Sequence, residues 1–235
     1  FCAMVIGGLQ KNSLIDFPGK VSCVLFFSGC NFDCPYCHNP ELSKGEPQNK
    51  SFLSEEHIFS FLASRRGLLD GVVLSGGEPT IQDDLLSICE KVKQLGYSVK
   101  VDTNGSRPEV IRRLLKEGFV DYIAMDIKTD PFDYSPVIKN EIEPDDIFSS
   151  IRIIMASAIN YEFRTTCIRP FVNESVVERI SQYIKGSMLY ALQRFHPAVM
   201  LHHEFFQNNE IGYNDQKLNY LKSIAEPWVD KCIIR

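Results

Sequence analysis

Short apolar runs alternate with amphipathic helical patterns six times along this chain, and that alternation restricts the fold more than any single motif. Candidate strands are Val21–Ser28, Gly71–Ser75, Ser98–Asp102, Tyr122–Ile127, Tyr161–Thr166 and Met188–Gln193. The first, "VSCVLFFS", is apolar almost throughout, as in a strand buried on both faces. Between the strands lie helices with recognisable ends. Ser54 can cap a helix whose first turn holds Glu55 and Glu56 and which buries Ile58, Phe59, Phe61 and Leu62. Asp83–Leu95 gathers Leu85, Leu86, Ile88, Cys89, Val92 and Leu95 on one side and stops at Gly96. Pro108–Glu117 opens on proline and stops at Gly118; further helices fit Asp145–Ser157 and Glu174–Ile184. A last helix and strand fit Asp215–Ile224 and Val229–Ile234.

Strand–helix repeats of this kind require parallel strands joined by right-handed crossovers. The expected fold is therefore α/β: a partial (βα)6 TIM-like barrel of parallel strands in a single domain. It should occupy residues 21–200, with an N-terminal extension over 1–20 and a C-terminal extension over 201–235 packed on the barrel. The longest irregular stretches, Asn39–Phe52 and Thr129–Pro144, read as surface or active-site loops bordering an entrance.

Composition removes several classes. Hydrophobic residues make up 44% and charged residues 23% of the 235, an ordinary globular balance. A net charge of −5 without a long basic run argues against a nucleic-acid partner. The apolar runs are far too short to cross a bilayer, and "FCAMVIGGLQ" lacks the basic leader of a signal peptide. The expected location is the reducing cytoplasm, where clustered cysteines mean metal or catalysis rather than a disulfide scaffold. Of eight cysteines, Cys2, Cys23, Cys89, Cys167 and Cys232 are scattered singly and read as core packing. Cys30, Cys34 and Cys37 stand within "SGCNFDCPYCHN".

The polar residues fall at strand ends. The triplet follows the first strand, "SGGEP" (Ser75–Pro79) the second, "DTNG" (Asp102–Gly105) closes the third and "MDIK" (Met125–Lys128) the fourth. Arg164 lies near the end of the fifth and His196 just beyond the sixth. Carboxyl ends of strands are where α/β barrels build active sites.

Each element also has an ordinary explanation. A disulfide would leave one cysteine of the triplet over. Zinc is the stronger rival, since His38 would complete a Cys3His set, but no second ligand pair is visible. A cubane iron–sulfur cluster would take three thiolates and keep one iron open. Gly76 and Gly77 suit a close backbone approach to a ligand or a plain tight turn. Asp102 with Asn104 suits ribose hydroxyls or an ordinary Asp–Asn–Gly turn. Asp126 and Lys128 share one strand face as a ligand site or an ion pair. His196 reads equally well as a solvent-facing loop histidine. His202, His203 and Glu204 in "HHEFFQNNE" suggest a metal, although adjacent histidines point apart and a surface or partner-facing segment suits them better.

CxxxCxxC with Tyr36 before the last cysteine resembles the radical S-adenosylmethionine (SAM) signature. Together, "CNFDCPYCHN", "SGGEP", "DTNG" and "MDIK" resemble the glycyl-radical-enzyme activating enzymes, relatives of pyruvate formate-lyase activating enzyme. The opening "LQKNSLIDFPGKVSCVLFFSGCNFDCPYCHNPEL" is similar to the branch assigned to anaerobic ribonucleoside-triphosphate reductase. The resemblance implies a radical SAM barrel with one 4Fe–4S cluster on Cys30, Cys34 and Cys37. It implies SAM contacts from Tyr36, Asn39, Gly76, Gly77, Glu78, Asp102, Asn104, Asp126, Lys128, Arg164 and His196. A monovalent cation near Asp102 and Asp126 is part of the same implication. So are a glycyl radical enzyme as protein substrate and a flavodoxin or ferredoxin as electron donor. Other readings are activation of pyruvate formate-lyase or another glycyl radical enzyme, radical SAM chemistry on a small metabolite, and a non-catalytic zinc module.

Overall fold

The computed structural model describes residues 5–46, 51–137, 142–196, 201, 206 and 211–235. Its architecture is α/β with mostly parallel strands, as the alternation predicts. Among the described residues, the eight strands are β1 (Ile6–Ser13), β2 (Ser22–Phe27), β3 (Gly71–Gly76), β4 (Ser98–Thr103), β5 (Tyr122–Asp126), β6 (Asn160–Cys167), β7 (Tyr190–Arg194) and β8 (Cys232–Ile234). The helices are α1 (Pro40–Ser43), α2 (Glu55–Ser64), α3 (Leu85–Gln94), α4 (Pro108–Lys116), α5 (Pro144–Met155), α6 (Glu174–Tyr183) and α7 (Asp215–Ala225). Predicted and observed bounds differ by a few residues at most, except at the last strand, which is shorter than predicted.

The described residues fall into two compact units, each made of separate chain segments. The first comprises Phe1–Asn31, Asn39–Thr103 and Glu109–Ile123; the second comprises Phe32–His38, Asn104–Pro108 and Ala124–Arg235. In the first, β1, β2, β3, β4 and the start of β5 follow one another in chain order; in the second, the end of β5, β6, β7 and β8 do so. β2–β3, β3–β4, β6–β7 and β7–β8 pair in parallel.

β1 runs antiparallel to β2 and lies in the stretch that the sequence suggests is only an extension. Its "IGGLQKNS" carries two glycines and no clean apolar alternation, so tertiary pairing overrides a poor local propensity. The first unit centres on β3, where Val72, Val73 and Leu74 are fully buried. Successive strand residues point to opposite faces, so both faces of β3 are covered. Ser54 Oγ accepts from His57 N at the start of α2, as a capping serine should.

Candidate active site

The cysteine loop leaves β2 and is held by hydrogen bonds from its own unit at each stage. In the first unit, Gly29 N donates to Leu42 O at 2.6 Å and Ser28 N to Val5 O at 2.9 Å. In the second, Asp33 N donates to Val137 O at 2.9 Å, and the Cys34 thiol lies 3.8 Å from the same oxygen. Tyr36 is buried; its hydroxyl donates to Lys128 O at 3.4 Å, and its ring packs 5.5 Å from that of Phe171. Phe32 meets Tyr134 edge-on at 5.8 Å. Lys128, at the strand end, and Tyr134 and Val137, in the stretch Thr129–Pro144 that the sequence reads as a surface or active-site loop, therefore brace the cysteine loop from Phe32 to Tyr36. Tyr134 and Val137 were not legible as site residues, because their partners lie about a hundred residues away in the chain.

Cys30 and Cys37 are half-buried and Cys34 is buried. Each of these, like Cys23, Cys89, Cys167 and Cys232, is a thiol rather than half of a disulfide. Burial pushes the Cys23, Cys89, Cys167 and Cys232 thiols up to about 12, which keeps them protonated and inert. Core packing accounts for those four; Cys2 lies outside the described residues. Among the described residues, no group of three or more His, Cys, Asp or Glu side chains is placed to hold a metal ion, so it is the donor type and spacing of the three thiols that suit an iron–sulfur cluster.

At the end of β3, Gly76 has φ +114°, and a Cβ there would stand 2.4 Å from Phe27 O. A Cβ on Gly77 would stand 2.0 Å from Gly29 O. The close approach that the two glycines permit is thus to the chain's own β2–cysteine-loop backbone. Gly77 N donates to Phe27 O at 2.8 Å and Glu78 N to Gly29 O at 2.9 Å, stitching the two loops together. The Glu78 carboxylate is 1% exposed. Its Oε1 accepts from Thr80 N at 3.0 Å, Thr80 Oγ1 at 2.6 Å and Thr103 Oγ1 at 2.7 Å. Glu78 therefore caps the short 3-10 turn Pro79–Ile81 while tying it to β4. Asp102, on β4, pairs through Oδ1 with the Lys100 ammonium and accepts through Oδ2 from Ser75 Oγ at 3.1 Å.

In the second unit Asp126 holds two cations. Arg164 Nε donates to Oδ1 at 2.6 Å and Lys128 Nζ to Oδ2 at 3.0 Å. Burial works to raise the Asp126 carboxyl, but Arg164 and Lys128 together hold it well below the usual carboxylate range. Burial likewise disfavours the Lys128 ammonium, yet Asp126 carries it well above the ordinary lysine value. Buried Glu162 takes a bidentate pair from Arg235 at 2.9 and 2.8 Å, and its Oε1 lies 4.0 Å from Arg164 Nη1. Lys128 and Arg164 thus bring an ammonium and a guanidinium to one carboxylate, groups of the kind that meet an anionic ligand.

The remaining predicted residues are placed as follows. Asn104 is buried, its Oδ1 accepting from Ser106 N at 3.0 Å in a local turn. Asn39 stands half-buried immediately before α1, with its carbonyl accepting from Ser43 N at 2.9 Å. His196 lies just past β7 and is exposed. The stretch His202–Glu210 lies, apart from Phe206, outside the described residues. Among the described residues, no helix is long and apolar enough to cross a membrane.

The Radical SAM superfamily model matches residues 24–184. A Methanocaldococcus jannaschii protein that bears the name "Putative glycyl-radical enzyme activating enzyme MJ1227" is 35% identical over 98% of this chain and 95% of its own length. A Sulfurisphaera tokodaii protein named as a probable GTP 3',8-cyclase is 27% identical over 88% of this chain and 63% of its own length. Among solved structures, Streptococcus suis SuiB bound to precursor peptide SuiA aligns with a TM-score of 0.63 at 13% identity. That alignment covers 90% of this chain and 48% of the other, and it supports the fold alone.

Proposed function

We propose that this chain, which belongs to the radical SAM superfamily, activates a glycyl radical enzyme, with anaerobic ribonucleoside-triphosphate reductase as the first candidate partner. The observation that carries this reading is the 35% identity to the M. jannaschii protein across nearly the whole of both chains. Residues 21–200 would form the catalytic barrel, with 1–20 and 201–235 as extensions.

Enzymes of this superfamily use a 4Fe–4S cluster and SAM, and here Cys30, Cys34 and Cys37 would be the cluster ligands. With both groups bound and one electron supplied by a flavodoxin or ferredoxin, the chemistry is cleavage of SAM to methionine and a 5′-deoxyadenosyl radical, which takes a hydrogen atom from a partner glycine. The chain's own contribution is position and exclusion of water. Val137, Tyr134 and Tyr36 brace the cysteine loop. Gly76 and Gly77 let the loop after β3 lie against the backbone of the loop after β2. Asp102 and Asn104 would meet the ribose hydroxyls. Arg164 and Lys128, with Asp126 between them, would receive the methionyl carboxylate through charge-assisted hydrogen bonds. Glu78 would orient the backbone around the SAM ammonium; Asn39 and His196 complete the set implied by resemblance.

The likeness to a protein named as a GTP 3',8-cyclase favours a second reading, in which the substrate is a small metabolite. Anaerobic incubation with SAM, reductant and each candidate partner, read by electron paramagnetic resonance, separates the two. A radical doublet that requires the partner's radical-site glycine supports activation. Silence with every glycyl radical enzyme of the same cell, while a metabolite drives 5′-deoxyadenosine release, overturns it.

A further inference from the structure

We infer that the Lys100 ammonium, not a metal cation, is the positive charge resident at Asp102, and that it fixes this carboxylate for SAM. The inference rests on the assignment of Asp102 to the SAM site and goes beyond it in naming what holds Asp102 there. β4 reads "SVKVDT", so Lys100 and Asp102, two residues apart, stand on one face of the strand. Lys100 is 1% exposed, and its ammonium lies 5.9 Å from the centre of the Tyr122 ring. A lysine is almost never buried so fully unless its charge is matched. Here the match is Asp102 Oδ1, while Ser75 Oγ donates to Oδ2.

Both oxygens of Asp102 therefore already receive hydrogen bonds. An alkali cation at these oxygens would stand beside a buried charge of its own sign, where Coulomb repulsion is weakly screened. The other carboxylate implied for a shared cation, Asp126, is equally engaged. Its Oδ1 receives Arg164 Nε and its Oδ2 receives Lys128 Nζ. The donor set thus does not fit the monovalent cation that the family resemblance implies. A lysine of the strand supplies the charge instead, and it cannot be washed out or exchanged. Asp102 stays oriented whatever salt is present.

The test is calorimetric titration of SAM into the anaerobically reconstituted protein in sodium, potassium or tetramethylammonium chloride at equal ionic strength. Wild type should bind SAM with the same affinity in all three. Lys100→Ala, which leaves Asp102 without its buried partner, should bind at least about tenfold more weakly in tetramethylammonium chloride and regain affinity in sodium or potassium. Sodium NMR linewidths on the cluster-free protein give a second readout: saturable broadening should appear only in the variant. A wild type that loses tenfold or more in tetramethylammonium chloride, or shows saturable sodium binding, overturns the inference. So does a folded Lys100→Ala protein that binds SAM normally in every salt. If Lys100→Ala does not fold, the wild-type salt series and linewidths still decide. Asp102→Ala in the same titration separates this inference from the assignment beneath it: unchanged affinity removes Asp102 from the SAM site. None of these measurements depends on which substrate receives the radical.

Discussion

Thr103, the last residue of β4, donates its hydroxyl to Glu78 Oε1 at 2.7 Å, so the loop after one strand is fastened to the end of the next. The same oxygen takes Thr80 N and Thr80 Oγ1, which makes one buried carboxylate the common acceptor for three donors. A carboxylate in this position determines where the backbone beside the cysteine loop can lie.

Glu78→Ala should therefore destabilise the cluster-free protein by about 2–5 kcal/mol, because three buried donors lose their acceptor. Thr103→Val should cost less, about 1–3 kcal/mol. Urea unfolding monitored by circular dichroism measures both. A Glu78→Ala midpoint equal to wild type would show that the carboxylate is not a structural tie.

Gly77→Ala should abolish cluster loading. The new Cβ would lie 2.0 Å from Gly29 O, a contact that no side-chain rotation relieves because both partners are backbone. The loops after β2 and β3 must then separate by more than an ångström. Iron content and visible absorbance after anaerobic reconstitution report this, and full loading of Gly77→Ala contradicts the packing described.

The Asp126 carboxyl is held below its unfolded value of about 3.9 by Arg164 and Lys128. The unfolded chain then binds more protons across the acid range, so stability from this group rises with pH. Its contribution should be complete above about pH 5 and fade as pH falls through and below the ordinary aspartate range. Asp126→Asn should flatten the slope of unfolding free energy between about pH 5 and pH 3. Denaturant melts at stepped pH test it, and an unchanged slope would mean the pair does not persist in solution. The same variant should weaken SAM binding by at least about tenfold, since Arg164 and Lys128 lose the group that aligns them.

In the cluster-free protein, Cys30 and Cys37 should react with a thiol reagent at neutral pH within minutes. Cys23, Cys89, Cys167 and Cys232, buried and pushed up to about 12, should react only on unfolding. Mass spectrometry of labelled peptides assigns each site. Correspondingly, Cys34→Ala should lose the iron–sulfur absorbance and Cys89→Ala should keep it. Retention of the full cluster in Cys34→Ala would remove the triplet from ligation.

What the chain order alone determined is local. Apolar runs of strand length, amphipathic segments with Ser54, Gly96 and Gly118 at their ends, and three cysteines spaced by four and three positions are all legible without coordinates. They are legible because periodicity and capping act over a few residues, and because strand carboxyl ends line up once the strands are parallel. β1 was not legible, since a strand with two glycines forms only where β2 supplies the pairing. Only tertiary structure decided that Gly76 and Gly77 make room for Phe27 and Gly29, or that Glu78 serves Thr103. Only tertiary structure, too, buried the Lys100 ammonium against half-buried Asp102 and drew Arg164 to Asp126. These partners, apart from Lys100, lie between 25 and 49 positions apart in the chain, too far for a local pattern to join them. Lys100 shows the remaining reason: its distance from Asp102 is two residues, but a lysine is written identically whether its ammonium meets water or is buried against a carboxylate. That difference comes from burial, and burial is a property of the assembled sheet.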